Sequence, residues 1–266
     1  LQSTLTDFSY LRKKWRENTE EERLLGVSMT GIMDNPIAYS WSNGDIQKML
    51  RDMKEHAISV NIEWAQKLGI NPSVSISCVK PSGTVSQLVD SASGIHPRFS
   101  EYYLRTVRAD KKDPLSNFMI DKGFYHEEDQ MNPSNWVFYF PMKSPEGSVT
   151  ADEMSAIDQL DLWSVYQDYW CEHKPSMTCY YSNDEFLEVG QWVWDRFDDI
   201  SGVSFLPRQD HVYQQAPYQS ITKEEYEQWL DKMPKDVDWT ELSQYESEDH
   251  TEGVQTLACA GGSCEV

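Results

Sequence analysis

The chain has 266 residues, 39% of them hydrophobic and 12% aromatic, enough to bury a substantial core and too apolar for a disordered polymer. Its net charge of −21 argues against nonspecific attraction to nucleic acid or to an anionic membrane, so an anionic ligand must be held by a local feature. Five cysteines form no disulfide framework and suit a reducing cytosol, and no apolar run approaches the roughly 20 residues that cross a bilayer.

Residues 1–23 are polar, and LRKKWRENTEEER predicts an exposed helix. LLGVSMTGIM (24–33) reads as a buried strand and turn interrupted by Gly26 and Gly31. Asp45 opens a helix to about Leu68, with Ile46, Met49, Met53, Ala57 and Ala65 on or near one face and Gly69 as its stop. VSISCV (74–79) alternates as a strand, with Val74, Ile76 and Cys78 on one side, and PSGTVSQLV turns into a helix. WVFYFPM (136–142) is a further strand, and TADE (150–153) is a capping box opening a helix to about Trp170. SMTCYY (176–181) is a strand, SNDE (182–185) caps a helix carrying Phe186, Val189, Trp192 and Phe197, and ISGVSFLP (200–207) reads as a buried strand. TKEE (222–225) caps a last helix, ended by Pro234. Alternating strands and helices predict an α/β protein with mostly parallel strands. From Lys235 the composition turns acidic, so 1–234 is expected to be the folded part, one large domain or two small ones, and 235–266 a flexible tail. The first residue is Leu rather than Met, from which a segment of something longer, or a processed product, is expected.

Three constellations can carry chemistry. In KPSGTVSQ a strand runs into Pro81, Ser82, Gly83 and Thr84, and a helix begins at Val85 and Ser86. That order gathers unpaired amides, hydroxyls and a helix N-terminus, as an anion site requires, although an ordinary capped helix has the same local pattern. It is not a Walker loop, because GxxxxGK[ST] is absent. SASGIHPRFSEYYLRTVR (91–108) combines Gly94, a His-Pro step, two tyrosines and Arg98, Arg105 and Arg108, suiting either a pocket wall for a large planar ligand or a solvated loop. Finally, Cys259 and Cys264 flank Ala-Gly-Gly-Ser close to the last residue. They can close a disulfide without much strain, make a poor zinc half-site, and suit a dithiol shuttle better than an adventitious pair. A coil of about 25 linker residues spans roughly 25–30 Å, enough to visit a buried site and an external reductant. Cys78, Cys171 and Cys179 read as buried structural residues.

Together GVSMTGIMD (26–34), SCVKPSGTVSQLVDSASGIHPRFSEYYLRTVR (77–108), FYFPMK (138–143), HKPSMTCYY (173–181), SGVSFLP (201–207), QQAPYQSIT (214–222) and the CxxxxC terminus resemble the C-terminal part of adenosylcobalamin-dependent (class II) ribonucleotide reductases, above all the monomeric ribonucleoside-triphosphate branch. The resemblance implies the C-terminal portion of a ten-stranded α/β barrel with a flexible tail. It implies that Pro81, Ser82, Gly83, Thr84, Val85 and Ser86 hold the phosphates of a ribonucleoside triphosphate. It also implies that Ser93, Gly94, Ile95, His96 and Pro97 contact adenosylcobalamin. No DxHxxG motif is present, so His96 is not expected to bind cobalt. Cys259 and Cys264 correspond to the family's shuttle pair, re-reduced by thioredoxin or a similar protein.

The implied reaction, cytoplasmic and without nucleic-acid or membrane partners, replaces the ribose 2′-hydroxyl with hydrogen by adenosylcobalamin-initiated thiyl radical chemistry. The family's radical cysteine, its Asn and Glu neighbours, its substrate-oxidised pair and its effector region lie upstream of the matched segments, so an upstream part of the same enzyme is an expected partner. The alternatives are a non-catalytic acidic module whose tail docks a redox partner, and a related reductase with another radical source.

Overall fold

A computed structural model describes residues 1–40, 44–208 and 214–246; Cys259 and Cys264 lie outside the described residues. In chain order the elements are α1 (Lys13–Glu22), β1 (Val27–Ser28), α2 (Gly44–Leu68), β2 (Ser77–Cys78), α3 (Val85–Leu88), β3 (Tyr102–Asp110), α4 (Pro114–Asp121), β4 (His126–Glu128), β5 (Asn135–Lys143), α5 (Ala156–Tyr169), β6 (Thr178–Tyr181), α6 (Phe186–Asp195), β7 (Ser204–Pro207), β8 (Tyr218–Ser220) and α7 (Lys223–Lys232). The chain divides into two units, Leu1–Arg98 with Gly147–Arg208, and Phe99–Glu146 with the described residues from 214 onward.

The first unit carries the parallel pairing that the strand–helix alternation predicts. β1 pairs with β2, β6 pairs with β7, and a parallel bridge between Val79 and Pro175 links the two pairs. Parallel strands need apolar cover, and α2 and α5 supply it. Ile46 and Leu50 of α2 and Leu160, Trp163 and Tyr166 of α5 share one core with Met177, Cys179, Val189 and Trp192. The polar tips of the large rings are satisfied inside that core. Trp163 Nε1 donates to the Pro175 carbonyl at 2.7 Å, Trp170 Nε1 to Cys78 at 2.8 Å and the Tyr166 hydroxyl to Ala38 at 2.9 Å.

Several expectations need correction in this unit. LLGVSMTGIM is not a buried strand: β1 has only Val27 and Ser28, both exposed, and burial falls on Ile32 and Met33 in a short 3-10 turn. In VSISCV Ile76 is buried as expected, but Ser77 and Val79 are buried too and Val74 is exposed, so strict alternation is lost. Ser77 is tolerated in the core because its hydroxyl donates to the Trp170 carbonyl at 2.6 Å. β7 is exposed or half-buried rather than buried, and Met53, Phe186 and Phe197 face solvent. The Thr150–Glu153 capping box closes only a 3-10 turn, after which a second box, Ser155 with Asp158, starts α5. Two boxes in succession reset the backbone before the helix can propagate.

The second unit is an antiparallel sheet ordered β4-β5-β3-β8. β3 pairs with β5 from Tyr102↔Lys143 to Asp110↔Asn135, so the expectation of mostly parallel strands does not extend here. Phe138 packs with Phe118, Met119 and Phe124 around α4, while Leu104, Val137 and Tyr139 form a separate cluster with Trp229 of α7. The chain from Lys235 to Glu246 is also built in. Trp239–Gln244 forms a 3-10 helix, and the Trp239 and Tyr245 rings stand 5.3 and 5.4 Å from that of Phe118. The tail expected from Lys235 thus begins with a packed segment, because its aromatic residues cover α4.

Candidate functional site

β2 delivers the chain to the Lys80–Ser86 turn, and Pro81, Ser82 and Gly83 are half-buried while Thr84 and Val85 are exposed. The turn is shaped from within. The Ser82 amide donates to Ser93 Oγ at 2.9 Å, and the Ser86 amide donates to Ser82 Oγ at 2.9 Å. The Ser86 hydroxyl donates to the Ser82 carbonyl, and Ser86 is fully buried. Ser82 and Ser86, both expected to offer amides to a phosphate, have these amides engaged within the protein. Thr84 is the N-cap of α3 and Val85 its first residue, so their amides precede the first intrahelical acceptor, the Thr84 carbonyl met by Leu88 N–H at 3.1 Å. Since α3 has four residues, its dipole is small, and individual donors rather than the dipole would favour an anion.

A second turn, 90–94, supports the first. Gly94 has φ +55°, and a Cβ there would stand 2.7 Å from the Lys80 carbonyl oxygen, so glycine is required twice over. The Gly94 amide donates to Thr30 Oγ1 at 3.0 Å, and the Gly31 amide to the Ala92 carbonyl at 2.8 Å. Beneath both turns Arg98 is 4% exposed and meets the Asp34 carboxylate twice, Nε to Oδ1 at 2.9 Å and Nη2 to Oδ2 at 2.8 Å. Burial opposes the charged form of Asp34, but bonds from Arg98, the Ala92 amide and the Ser148 hydroxyl outweigh it and hold its carboxyl below the ordinary value. The Asp34–Arg98 pair escaped the reading of the sequence, which singled out Arg98 but not its partner 64 positions away.

Of the five residues that the resemblance assigned to adenosylcobalamin, four are buried. Ser93, Ile95 and His96 are 7%, 0% and 3% exposed, Gly94 is buried against Lys80, and only Pro97 is half-buried. His96 Nδ1 donates to the Ser93 carbonyl at 3.1 Å and Nε2 accepts from the Thr178 amide at 3.0 Å, so both ring nitrogens are used. Burial, against that Ser93 bond, pushes the imidazole pKa down to about 4. Ser93, Gly94, Ile95 and His96 thus belong to the packed interior of the first unit. The three arginines of the 91–108 segment, read as either a pocket wall or a solvated loop, belong to different units. Arg98 is buried in the first unit, whereas Arg105 and Arg108 belong to β3 in the second. Arg105 lies over the Tyr218 ring and Arg108 meets Asp129 at 3.3 Å.

Cys171 and Cys179 are buried structural residues, as expected, and burial raises both thiols to about 12. Cys78 is half-buried. Among the described residues no group of three or more His, Cys, Asp or Glu side chains gathers as metal ligands, and no helix is long and apolar enough to cross a membrane.

No protein-family model matches the chain. An adenosylcobalamin-dependent ribonucleoside-triphosphate reductase of Lactobacillus acidophilus is 26% identical over 94% of this chain and 37% of its own length. A probable enzyme of the same name from Dictyostelium discoideum is 30% identical over 92% of this chain and 32% of its own length. The chain therefore spans about a third of the length of these relatives. A crystal structure of B12-dependent (class II) ribonucleotide reductase matches 89% of this chain and 36% of its own, with a TM-score of 0.77 at 23% identity. Over nearly all of its own length the chain is a homologue of the adenosylcobalamin-dependent ribonucleoside-triphosphate reductases, and it has the mixed α/β fold of a class II ribonucleotide reductase.

Proposed function

We propose that the chain works as part of a ribonucleotide reductase acting on ribonucleoside triphosphates, with the Pro81–Val85 corner receiving the substrate's phosphates. The observation that supports this most directly is the corner itself, an exposed Thr84 and Val85 with amides ahead of the first helical acceptor, fixed on a buried scaffold. Gly83 lets a phosphate approach the backbone closely, and Ser86 acts indirectly, by holding Ser82. In a chain of net charge −21, rigid local donors are the means by which a polyanion is held. Lys80, exposed beside the turn, adds a mobile positive charge.

The parallel strands of the first unit are read as part of the ten-stranded barrel. Adenosylcobalamin, named in the relatives, would supply the radical when bound. Cys259 and Cys264 are read as the pair that carries electrons from thioredoxin or a similar protein to the reaction site. The residues of this chain then have two tasks, gripping phosphate and delivering reducing equivalents.

The test is deoxynucleotide formation from a ribonucleoside triphosphate by the complete protein, with adenosylcobalamin and a dithiol. Product is expected with the unaltered turn. Replacement of Thr84 by Pro, which removes one amide donor, should raise KM for the triphosphate by roughly ten-fold. Activity unaffected by that change would remove the turn from the phosphate site, and no product under any condition would sink the enzymatic reading.

A further inference from the structure

We infer that Arg98 is a positioning residue for the phosphate turn, fixing its shape through Asp34, the 90–94 turn and the Ser93 hydroxyl. The inference rests on the reading of Pro81–Val85 as the phosphate site.

Arg98 grips two segments at once. Its Nε and Nη2 hold Asp34, Nη2 also donates to the Asp90 carbonyl at 2.8 Å, and Nη1 meets Asp90 Oδ1 at 3.2 Å. Asp90 has φ +47°, a left-handed conformation that a non-glycine residue keeps only when its surroundings impose it. Asp34 meanwhile accepts the Ala92 amide at 2.7 Å, so the guanidinium and its carboxylate fix both ends of the 90–92 backbone.

That backbone holds the phosphate turn at two points. The Ser91 amide donates to the Ser86 carbonyl at 2.9 Å, and Ser93 Oγ accepts the Ser82 amide at 2.9 Å. With Gly94 pressed on Lys80, the spacing from Ser82 to Ser86 is set from outside the turn. An apolar side chain could fill the Arg98 site without the desolvation cost of a buried guanidinium. The planar fork, reaching Asp34 and Asp90 together, supplies a geometry that no apolar residue offers.

The test uses the full chain, with inorganic tripolyphosphate and a ribonucleoside triphosphate as probes. Ser93→Ala and Arg98→Lys should each weaken binding of both probes by roughly ten-fold, with faster amide exchange at Ser82. Ser93→Thr, which keeps the hydroxyl, should restore affinity and protection, a rescue that loss of packing alone does not produce. Should Arg98→Lys fail to fold, the Ser93 pair decides alone. Wild-type affinity in Arg98→Lys or in Ser93→Ala, with the unaltered chain binding normally, overturns the positioning role. Absence of binding by the unaltered chain overturns the phosphate reading, and this inference with it.

Discussion

Gly94 faces the Lys80 carbonyl so closely that a single added methyl at Gly94 would stand 2.7 Å from that oxygen. The contact is backbone against backbone, so no side chain can rotate away to relieve it. Gly94→Ala also forces φ +55° on a residue with a Cβ. We expect it to destabilise the chain by at least about 2 kcal/mol, read as a lowered urea midpoint. A smaller loss would mean that the two turns are free to separate.

Acid should weaken the protein through His96. Its folded pKa is depressed from 6.5 to about 4, chiefly by burial. The unfolded chain therefore binds a proton over a pH range in which the folded one does not, and stability falls as pH drops through that window. The full effect is up to about 3 kcal/mol. Most of it precedes the titration of ordinary carboxylates, so urea midpoints measured from about pH 7 to about pH 5 isolate it. In His96→Gln, whose amide can keep both bonds, that slope should vanish.

The tail pair predicts a kinetic separation. Cys259→Ser and Cys264→Ser in the complete enzyme should abolish repeated turnover with thioredoxin, yet leave about one turnover from pre-reduced protein. Rapid quench and steady-state assays distinguish the two regimes. Full steady-state activity in both variants would discard the electron relay.

In the second unit, the Tyr139 hydroxyl donates to Glu127 Oε2 at 2.9 Å while its ring stacks on Trp229 at 5.6 Å. Tyr139→Phe keeps the stack and removes the bond. A cost of about 1 kcal/mol is expected, at the lower end for a charged acceptor, because Glu127 is exposed. Glu127 lies below its ordinary pKa through the Tyr125 hydrogen bond, with burial opposing and Tyr139 and Gln215 adding to it. The penalty should accordingly shrink as pH falls and the carboxylate takes up its proton, which paired denaturation curves would show.

What could be read from the sequence was mostly local. α1, β5 and the Thr222–Glu225 box of α7 stand where expected, because charge pattern, an aromatic run and a capping box are complete within a few residues. β3 was hidden because its two arginines are satisfied by partners distant in sequence, Arg108 by the Gln215 carbonyl at 2.9 Å and Arg105 by Tyr218. The helix expected from TADE starts later because Ser155 and Asp158 form an equally good start signal five residues on. At the candidate site the Pro-Ser-Gly-Thr corner was legible. Its support was not, since Asp34 carries no local signal and the role of Arg98 lies in a contact spanning 64 positions. Burial of His96 was equally invisible, as a His-Pro step reads the same inside a core or out of it.

Arg98 also sits where the chain leaves the first unit. Its amide donates to the Val149 carbonyl at 2.9 Å, and its own carbonyl accepts from Ala151 at 2.8 Å. Departure and return are thus tied by one rung of parallel ladder. The excursion from 99 to 146 has its two ends clasped by the first unit, which relieves the β3–β5 sheet of the entropy of closing that loop. In a chain arranged in this way, length changes far out on the excursion should leave the corner at Pro81–Val85 undisturbed.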